Sequence, residues 1–275
     1  MKKIIVPIDF SDCSINALNN AALIANALQM ELVICHALMA PAGFASEIPI
    51  STVDMGLEAI EEQAKADIEK LIKNSELIQK VPHHYEVQYG ALSSYLEKLT
   101  EELDDVALVV MGTHGATGLQ KMLLGSNAFH IMRHLNCPVI ALPEKADLRQ
   151  MKHLAFAIEC DNMPSHDIIT MVVALTKAFF GELHLIHIDS KEVLENRQLE
   201  VARGLEKYLK GIAHKFNFKQ DENVNDALLE FTKQESIDLL MMVAKHRPLL
   251  ERLKHKSHTK KMMMDIPIPL MVFHD

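Results

Sequence analysis

The chain has 275 residues, of which 49% are hydrophobic, and this length suffices for two domains of common size. A formal net charge of −9 argues against sequence-independent binding to nucleic acid, because such binding needs a basic surface. No apolar run approaches the roughly 20 residues of a membrane span, and acidic residues come too early for a signal peptide. Four cysteines without a CxxC pair fit a reducing compartment, so we expect a cytoplasmic protein with no membrane partner.

Short apolar runs alternate with helical patterns along the first half of the chain. Apolar residues recur at spacings of three and four after the first run and again over residues 57–71, which indicates helices. Nearly continuous apolar strands joined by helices indicate a parallel sheet covered on both faces, and therefore an α/β fold. The predicted strands are residues 3–8, 31–37, 83–89, 106–111 and 139–142.

The second half of the chain repeats the strand segments of the first half. KKIIVPIDFSD resembles KHLAFAIECDN, ELVICHA resembles ELHLIHI, ALVVMG resembles DLLMMV, and CPVIAL resembles IPLMVF. A repeat of this kind indicates two copies of one structural unit. We therefore predict two related domains, residues 1–147 and 148–275, with the short polar link Pro143–Arg149 at their boundary.

A glycine-rich segment follows the fourth predicted strand. Gly112 and Gly115 stand three positions apart, and Gly125 and Ser126 come after nine further residues, at the start of a helical pattern. A glycine after a strand lets the backbone approach a ligand, and N–H groups at a following helix start can bind an anion. We expect Ser126 to cap this helix. The pattern is neither a Walker loop nor the GxGxxG dinucleotide loop.

This loop, together with VPIDFSD at Val6–Asp12 and ELVICHAL at Glu31–Leu38, resembles the universal stress protein family. In the ATP-binding branch of that family, an aspartate ending the first strand holds the adenosine part, and the glycine loop holds ribose and phosphates. The resemblance implies two tandem doubly wound five-stranded parallel-sheet domains of adenine nucleotide alpha hydrolase-like fold, with strand order 3-2-1-4-5. That order places a ligand crevice beyond the first and fourth strands.

The resemblance also implies a role for individual residues of the first half. Asp9 would accept hydrogen bonds from adenine or ribose; its alternative role is to cap the first helix, for which Ser11 or Asp12 is better placed. Pro7 would fix the turn beside Asp9, and Ala37 would contact adenine through its backbone. The residues expected to line the ribose side or to reach the phosphates are Met111, Gly112, His114, Gly115, Gly125, Ser126 and Asn127.

The second half departs from this pattern where the ligand would bind. Aligning CPVIAL with IPLMVF places Val243, His246 and Lys256 at the positions of the three glycines, and the first-strand aspartate meets Glu159. Side chains then stand where the backbone has to approach phosphate. We therefore expect one nucleotide site per chain, in the first half, beside a degenerate second half.

Other polar features of the sequence carry weaker predictions. None of the fifteen histidines shows the HExxH spacing of a zinc site, so no metal site is predicted, and His36 and His187 are expected to be packing residues at equivalent strand ends. Met39–Thr52 is interpreted as a flap over the crevice or a contact loop. Residues 245–261 are strongly basic, and the sequence leaves open whether they are solvated, bind an anion or dock on the acidic first half.

Three functions remain open at this stage. The leading hypothesis is an ATP-binding stress-response or regulatory protein that signals by binding rather than by fast chemistry, with ADP or AMP as alternative ligands and Mg²⁺ held largely by the phosphates. A slow ATPase is the second, with His114 as the candidate base. A nucleotide-independent interaction protein is the third. The family resemblance further implies an internal pseudo-dimer formed through the last strand of each domain, with a homodimer of chains left open.

Overall fold

The computed structural model of the chain describes residues 1–39, 50–114, 125–160, 162–190, 196–244 and 268–274, with residues 50–55 and 126 described by their backbone alone. Strands and helices alternate in both halves, as predicted. The elements of the first half are β1 (Lys3–Pro7), α1 (Asp12–Leu28), β2 (Glu31–Leu38), α2 (Ile50–Lys73), α3 (Glu76–Gln79), β3 (His83–Tyr89), α4 (Leu92–Glu102), β4 (Val106–Gly112), α5 (Ser126–His134) and β5 (Val139–Leu142).

The second half follows the same order after a short 3-10 helix at Leu148–Gln150. None of the helices in the described ranges combines the length and the apolar character that crossing a membrane needs. The elements are β6 (His153–Ala157), α6 (His166–Ala178), β7 (Glu182–Asp189), α7 (Asn196–Glu206), β8 (His214–Gln220), α8 (Val224–Gln234), β9 (Leu239–Ala244) and β10 (Leu270–His274).

The strands form one sheet with the order β3-β2-β1-β4-β5-β10-β9-β6-β7-β8. Each half therefore has the predicted order 3-2-1-4-5, and the strands within each half are parallel. The last strands of the two halves, β5 and β10, pair antiparallel, with Leu270 opposite Ala141. The two predicted five-stranded sheets are thus joined edge to edge into a ten-stranded sheet, as an internal pseudo-dimer requires.

Both faces of the sheet are covered by packed side chains. Along β1, Ile4 and Val6 belong to one buried cluster and Ile5 to the other, and all three are fully buried. Successive residues of a strand point to opposite faces, so a strand covered on both faces needs apolar residues throughout. This requirement explains why the strands are readable in the sequence as continuous apolar runs.

The polar link between the halves is tied to α1. Asn16 Nδ2 donates to the carbonyl oxygens of Pro143 and Ala146 at 3.2 and 2.9 Å. The buried side chain of Asn20 donates to Ala146 O at 3.1 Å and accepts from Leu148 N at 2.9 Å. These bonds satisfy backbone groups that a buried connection would otherwise leave unpaired. The link is therefore an ordered part of the interface between the halves.

Two segments interpreted from sequence lie partly or wholly outside the described residues. Of the predicted flap Met39–Thr52, residues 40–49 lie outside them, and Ile50 begins α2. The last three residues of that segment are therefore helical, and the flap itself stays a prediction. The basic segment 245–261 lies wholly outside the described residues, so its role stays a prediction.

Candidate functional site

The predicted crevice lies where the strand order reverses. β1 has β2 on one side and β4 on the other, so the chain segments leaving β1 and β4 run to opposite faces of the sheet. Asp9 stands two residues beyond the end of β1, and Gly112 is the last residue of β4. The fold therefore brings the two sequence motifs to neighbouring strand ends, as predicted.

The carboxylate of Asp9 is exposed and is oriented by the turn that follows it. Asp9 Oδ1 accepts hydrogen bonds from Ser11 Oγ at 2.6 Å and from Ser11 N at 3.1 Å. Ser11, rather than Asp9, is the N-cap of α1, since its side chain accepts from Ser14 N. The helix-capping alternative for Asp9 is thereby excluded.

The turn beside Asp9 has a strained residue at its centre. Phe10 has φ of +62°, a region that residues other than glycine seldom adopt, and its ring packs 4.9 Å from the ring of His36. His36 Nδ1 lies 2.7 Å from Ile8 O, and in the second half His187 Nδ1 lies 3.0 Å from Ile158 O. Because both halves share this contact, the histidine pair supports the strand ends, as a packing role implies.

Gly112 has a packing role that the sequence does not reveal. A Cβ at this position would lie 2.8 Å from Cys13 Sγ and 3.0 Å from the backbone carbon of Cys13. The absence of a side chain thus lets the first turn of α1 pack against the end of β4. Cys13 is distant from Gly112 in the chain, and only the fold places them in contact.

The second half avoids this contact by starting its helix later. α1 begins at Asp12, five residues after β1 ends, whereas α6 begins at His166, nine residues after β6 ends. Gly112 lies opposite the last residue of β5, and Val243 lies opposite Phe273 in β10, so register confirms the aligned positions. The displaced helix start removes the turn that a side chain at residue 243 would otherwise meet.

Gly125 brings the start of α5 to the end of β4. Its N–H donates to Thr113 O at 2.6 Å, and a Cβ on Gly125 would lie 2.8 Å from the same oxygen. Gly125 is itself the N-cap of α5, and Ser126 is the first helical residue. The prediction that Ser126 caps this helix is therefore wrong, because the close approach to Thr113 places glycine at the cap.

A helix that begins at a glycine has no capping side chain at its N-cap, and within the described residues nothing caps the first N–H groups of α5. The N-cap Gly125 makes no side-chain hydrogen bond, and Asn127, the second residue of α5, has an exposed side chain. Uncapped N–H groups and the positive end of the helix dipole together favour an anion. The side chain of Ser126 and all of Gly115 lie outside the described residues, so their predicted contacts stay predictions.

The remaining candidates line the same region with different exposure. Pro7 is the buried last residue of β1, rather than part of the following turn, and Met111 is buried at 5% exposure. Ala37 is half-buried near the end of β2 and packs against the cluster that contains Met111. His114 is half-buried, with Nδ1 2.8 Å from the hydroxyl of Thr113. Because their side chains are buried, Pro7 and Met111 can contact a ligand only through main-chain atoms.

The described part of the second half lacks these features. Glu159 is exposed at the position of Asp9, and the half-buried Val243 occupies the place of Gly112. His246 and Lys256, which align with the other two glycines, lie outside the described residues. The departure from the first half is thus visible at both strand ends that the structure describes.

Comparison with known proteins supports the resemblance on both sequence and fold. The profile of the universal stress protein family matches residues 1–143, just over half of the 275 residues. Universal stress protein MJ0531 of Methanocaldococcus jannaschii is 30% identical over 143 residues, which cover 51% of this chain and 81% of that protein. Universal stress protein A homolog 1 of Coxiella burnetii is 30% identical over 143 residues, covering 51% and 95%.

A solved structure extends the similarity to the whole chain. The crystal structure of a universal stress protein from Archaeoglobus fulgidus matches with a TM-score of 0.73, covering 99% of this chain and 98% of its own, at 15% identity. At this identity the match concerns the fold. It shows that the arrangement of all ten strands, including the second half, recurs in a protein of that family.

Proposed function

The chain belongs to the universal stress protein family, and we propose that its first half binds one adenine nucleotide, with ATP as the expected ligand, in the crevice between β1 and β4. One observation carries the proposal: an exposed carboxylate, Asp9, and an uncapped helix start at Gly125 lie at the ends of adjacent strands. We propose further that nucleotide binding shifts a conformational or docking equilibrium and thereby regulates a stress response.

The residues present fit the two chemical parts of a nucleotide. Ribose hydroxyls and adenine amino groups are donors, and the oriented carboxylate of Asp9 is an acceptor. Phosphates are anions, and the amino end of α5 offers N–H groups with no Cβ on Gly125 to keep them at a distance. Ala37, two residues beyond the Cys35 that lies opposite Pro7, would offer main-chain atoms beside the base.

The division of labour between the halves is part of the proposal. Residues 1–147 would form the nucleotide-binding domain and residues 148–275 a domain that does not bind nucleotide in the same manner. The support is Val243, whose side chain stands at the position of Gly112, and the later start of α6. The antiparallel pairing of β5 with β10 makes the second half a fixed partner of the first.

The decisive experiment is calorimetric titration of the full chain with ATP·Mg²⁺. We expect about one ATP per chain, and loss of affinity in Asp9→Ala but not in Glu159→Ala, the matched control in the second half. A hydrogen bond to a charged group contributes about 1.5–3 kcal/mol, so the loss should be about 10- to 150-fold. Absence of heat together with absence of competition against a fluorescent nucleotide would contradict the proposal, as would an equal loss in both variants.

Titration with adenosine separates the roles of the carboxylate. If Asp9 contacts the nucleoside, Asp9→Ala weakens adenosine and ATP by the same factor. If ATP alone is weakened, the carboxylate organises Mg²⁺ or the phosphates instead. Parallel titrations with ADP and AMP, with and without Mg²⁺, would then rank the nucleotides.

Signalling by binding makes a prediction about the bound nucleotide. ATP incubated with the full chain should be recovered as ATP, with phosphate release no faster than in buffer. Release that follows protein concentration and disappears in His114→Ala would instead favour a slow ATPase, with His114 as base.

A further inference from the structure

Two histidines and a glutamate cluster at the amino ends of β6 and β7, in the second half. His153 is the first residue of β6, and Glu182 and His184 are the first and third residues of β7. His153 lies opposite Glu182, and residues two apart on a strand share a face. One ligand atom from each of the three side chains lies within 4.8 Å of the others.

Three of the four ring nitrogens of this cluster are buried without hydrogen-bond partners among the described residues. Both ring nitrogens of His184, which is 1% exposed, and Nδ1 of His153 make no hydrogen bond within the described residues. His184 Nε2 lies 3.4 Å from Glu182 Oε2, and His153 Nδ1 lies 3.8 Å from the same oxygen. Buried polar atoms are nearly always satisfied, so two unsatisfied nitrogens beside one carboxylate oxygen, and a third in the same His184 ring, require an explanation.

The first half shows that the fold does not require a histidine here. Lys3 lies opposite Glu31 as His153 lies opposite Glu182, so Val33 occupies the position of His184. Val33 is fully buried. β3 pairs with β2 in the same register as β8 pairs with β7. An apolar residue therefore suffices for packing at this position, and the buried imidazole of the second half is a departure from the common pattern.

We propose that His153, Glu182 and His184 bind a divalent transition-metal ion, with Zn²⁺ as the ion best suited to the set. Two imidazole nitrogens and a carboxylate oxygen are ligands that zinc accepts, with bonds of about 2.0–2.2 Å. Tetrahedral geometry at these lengths separates ligand atoms by about 3.3–3.5 Å. The 3.4 and 3.8 Å separations already approach this spacing, so binding requires only small side-chain movements.

Residues around the cluster suit a metal-bound His184. With Nε2 directed at the metal, Nδ1–H faces Glu235 at the end of α8, whose Oε2 lies 3.8 Å away. Metal-bound histidines usually donate their second N–H to such a carboxylate, which fixes the ring orientation. Glu235 is thus a positioning residue.

Lys215 is the natural competitor of the metal. Its Nζ donates to Glu182 Oε2 at 3.0 Å from β8, opposite His184. A metal ion and the Lys215 ammonium therefore compete for the same carboxylate oxygen. The Lys215 side chain is 55% exposed and can turn into solvent when a metal takes its place. Removing its charge should therefore strengthen metal binding.

The test is Zn²⁺ titration of the full chain against a chromophoric chelator, with Co²⁺ absorption as a second readout. Other histidines can bind weakly, so the comparison is between variants. His184→Val, which installs the residue of the first half, should lose one bound Zn²⁺ per chain or at least tenfold in affinity. Lys215→Ala should bind several-fold more tightly. Lys219→Ala, on the same strand but paired with Glu230, should match the wild type.

Two outcomes overturn the proposal. One is unchanged zinc stoichiometry and affinity in His184→Val; the other is a wild-type chain whose unfolding temperature does not rise with Zn²⁺. If His184→Val does not fold, His153→Ala replaces it in the zinc titration, because the His153 side chain is 39% exposed at the rim of the cluster. The ATP titration is independent of these results, since the cluster lies in the other half of the chain.

Discussion

Substituting Gly112 by alanine tests the packing at the mouth of the crevice. The new Cβ would lie 2.8 Å from Cys13 Sγ and 3.0 Å from the Cys13 backbone carbon. Unstrained carbon contacts are about 3.5–4.0 Å, so the first turn of α1 must move by about 0.5–1 Å. Overpacking of this kind costs about 1–3 kcal/mol. We expect Gly112→Ala to lower the free energy of unfolding by that amount in urea denaturation followed by circular dichroism.

Two controls separate this contact from the general effect of replacing a glycine. Gly204 lies inside α7, where a Cβ would meet Met163 at an ordinary 3.5 Å, so Gly204→Ala should stabilise by about 0.5–1 kcal/mol. Cys13→Ala removes the sulfur but leaves the backbone carbon, so it should rescue Gly112→Ala only in part. A neutral or stabilising Gly112→Ala would refute the packing argument.

The other predictions concern α5, the histidine cluster and the thiols. Gly125→Ala, whose Cβ would lie 2.8 Å from Thr113 O, should push the start of α5 away and weaken ATP binding about tenfold in calorimetry; unchanged affinity would count against the phosphate site. In the presence of a metal chelator, His184→Val should raise the free energy of unfolding above that of the wild type by about 1–3 kcal/mol, because two buried unpaired nitrogens are removed. A free energy of unfolding below that of the wild type would contradict this prediction. All four cysteines are buried, and burial raises the pKa of Cys137 to about 12 and that of Cys35 further, so native protein at pH 8 should resist a thiol reagent that labels four thiols after unfolding. Rapid labelling of the native chain would contradict the buried placement.

Much of the fold is predictable because its signals are local. The five strands predicted for the first half each lie within about one residue of their predicted bounds, and the inner strands are apolar runs because a sheet covered on both faces requires continuous apolar strands. The repeat predicts the shared strand order. The position of Asp9 beside the end of β4 follows from that order alone, without knowledge of any side-chain contact.

The roles of the glycines were only partly predictable, because they depend on contacts between distant segments. Gly112 is required by Cys13 at the start of α1, and Gly125 by the carbonyl of Thr113, and neither contact has a sequence spacing that identifies it. The cap of α5 was assigned to Ser126 because serine is a preferred N-cap, whereas the close approach to β4 places Gly125 there.

The histidine cluster shows the same limit. Search by motif spacing finds ligands that lie on one helix or loop, whereas His153 and His184 are brought together by the register of two strands. A signal was nevertheless present in the repeat, where a histidine stands in the second half at the position of Val33. A polar residue at a buried strand position marks a departure that packing alone does not explain.

The sequence by itself determined the alternation of strands and helices and the duplication, because hydrophobic periodicity and repeated segments can be read without any contact between distant residues. The family resemblance implied the strand order, the crevice and the joining of the halves through their last strands, whereas the tertiary structure alone decided that Gly112 faces Cys13 and that three ligand-type side chains meet at the amino ends of β6 and β7. These facts depend on strand register and on distances between segments far apart in the chain, where a shift of one residue would turn each side chain to the other face.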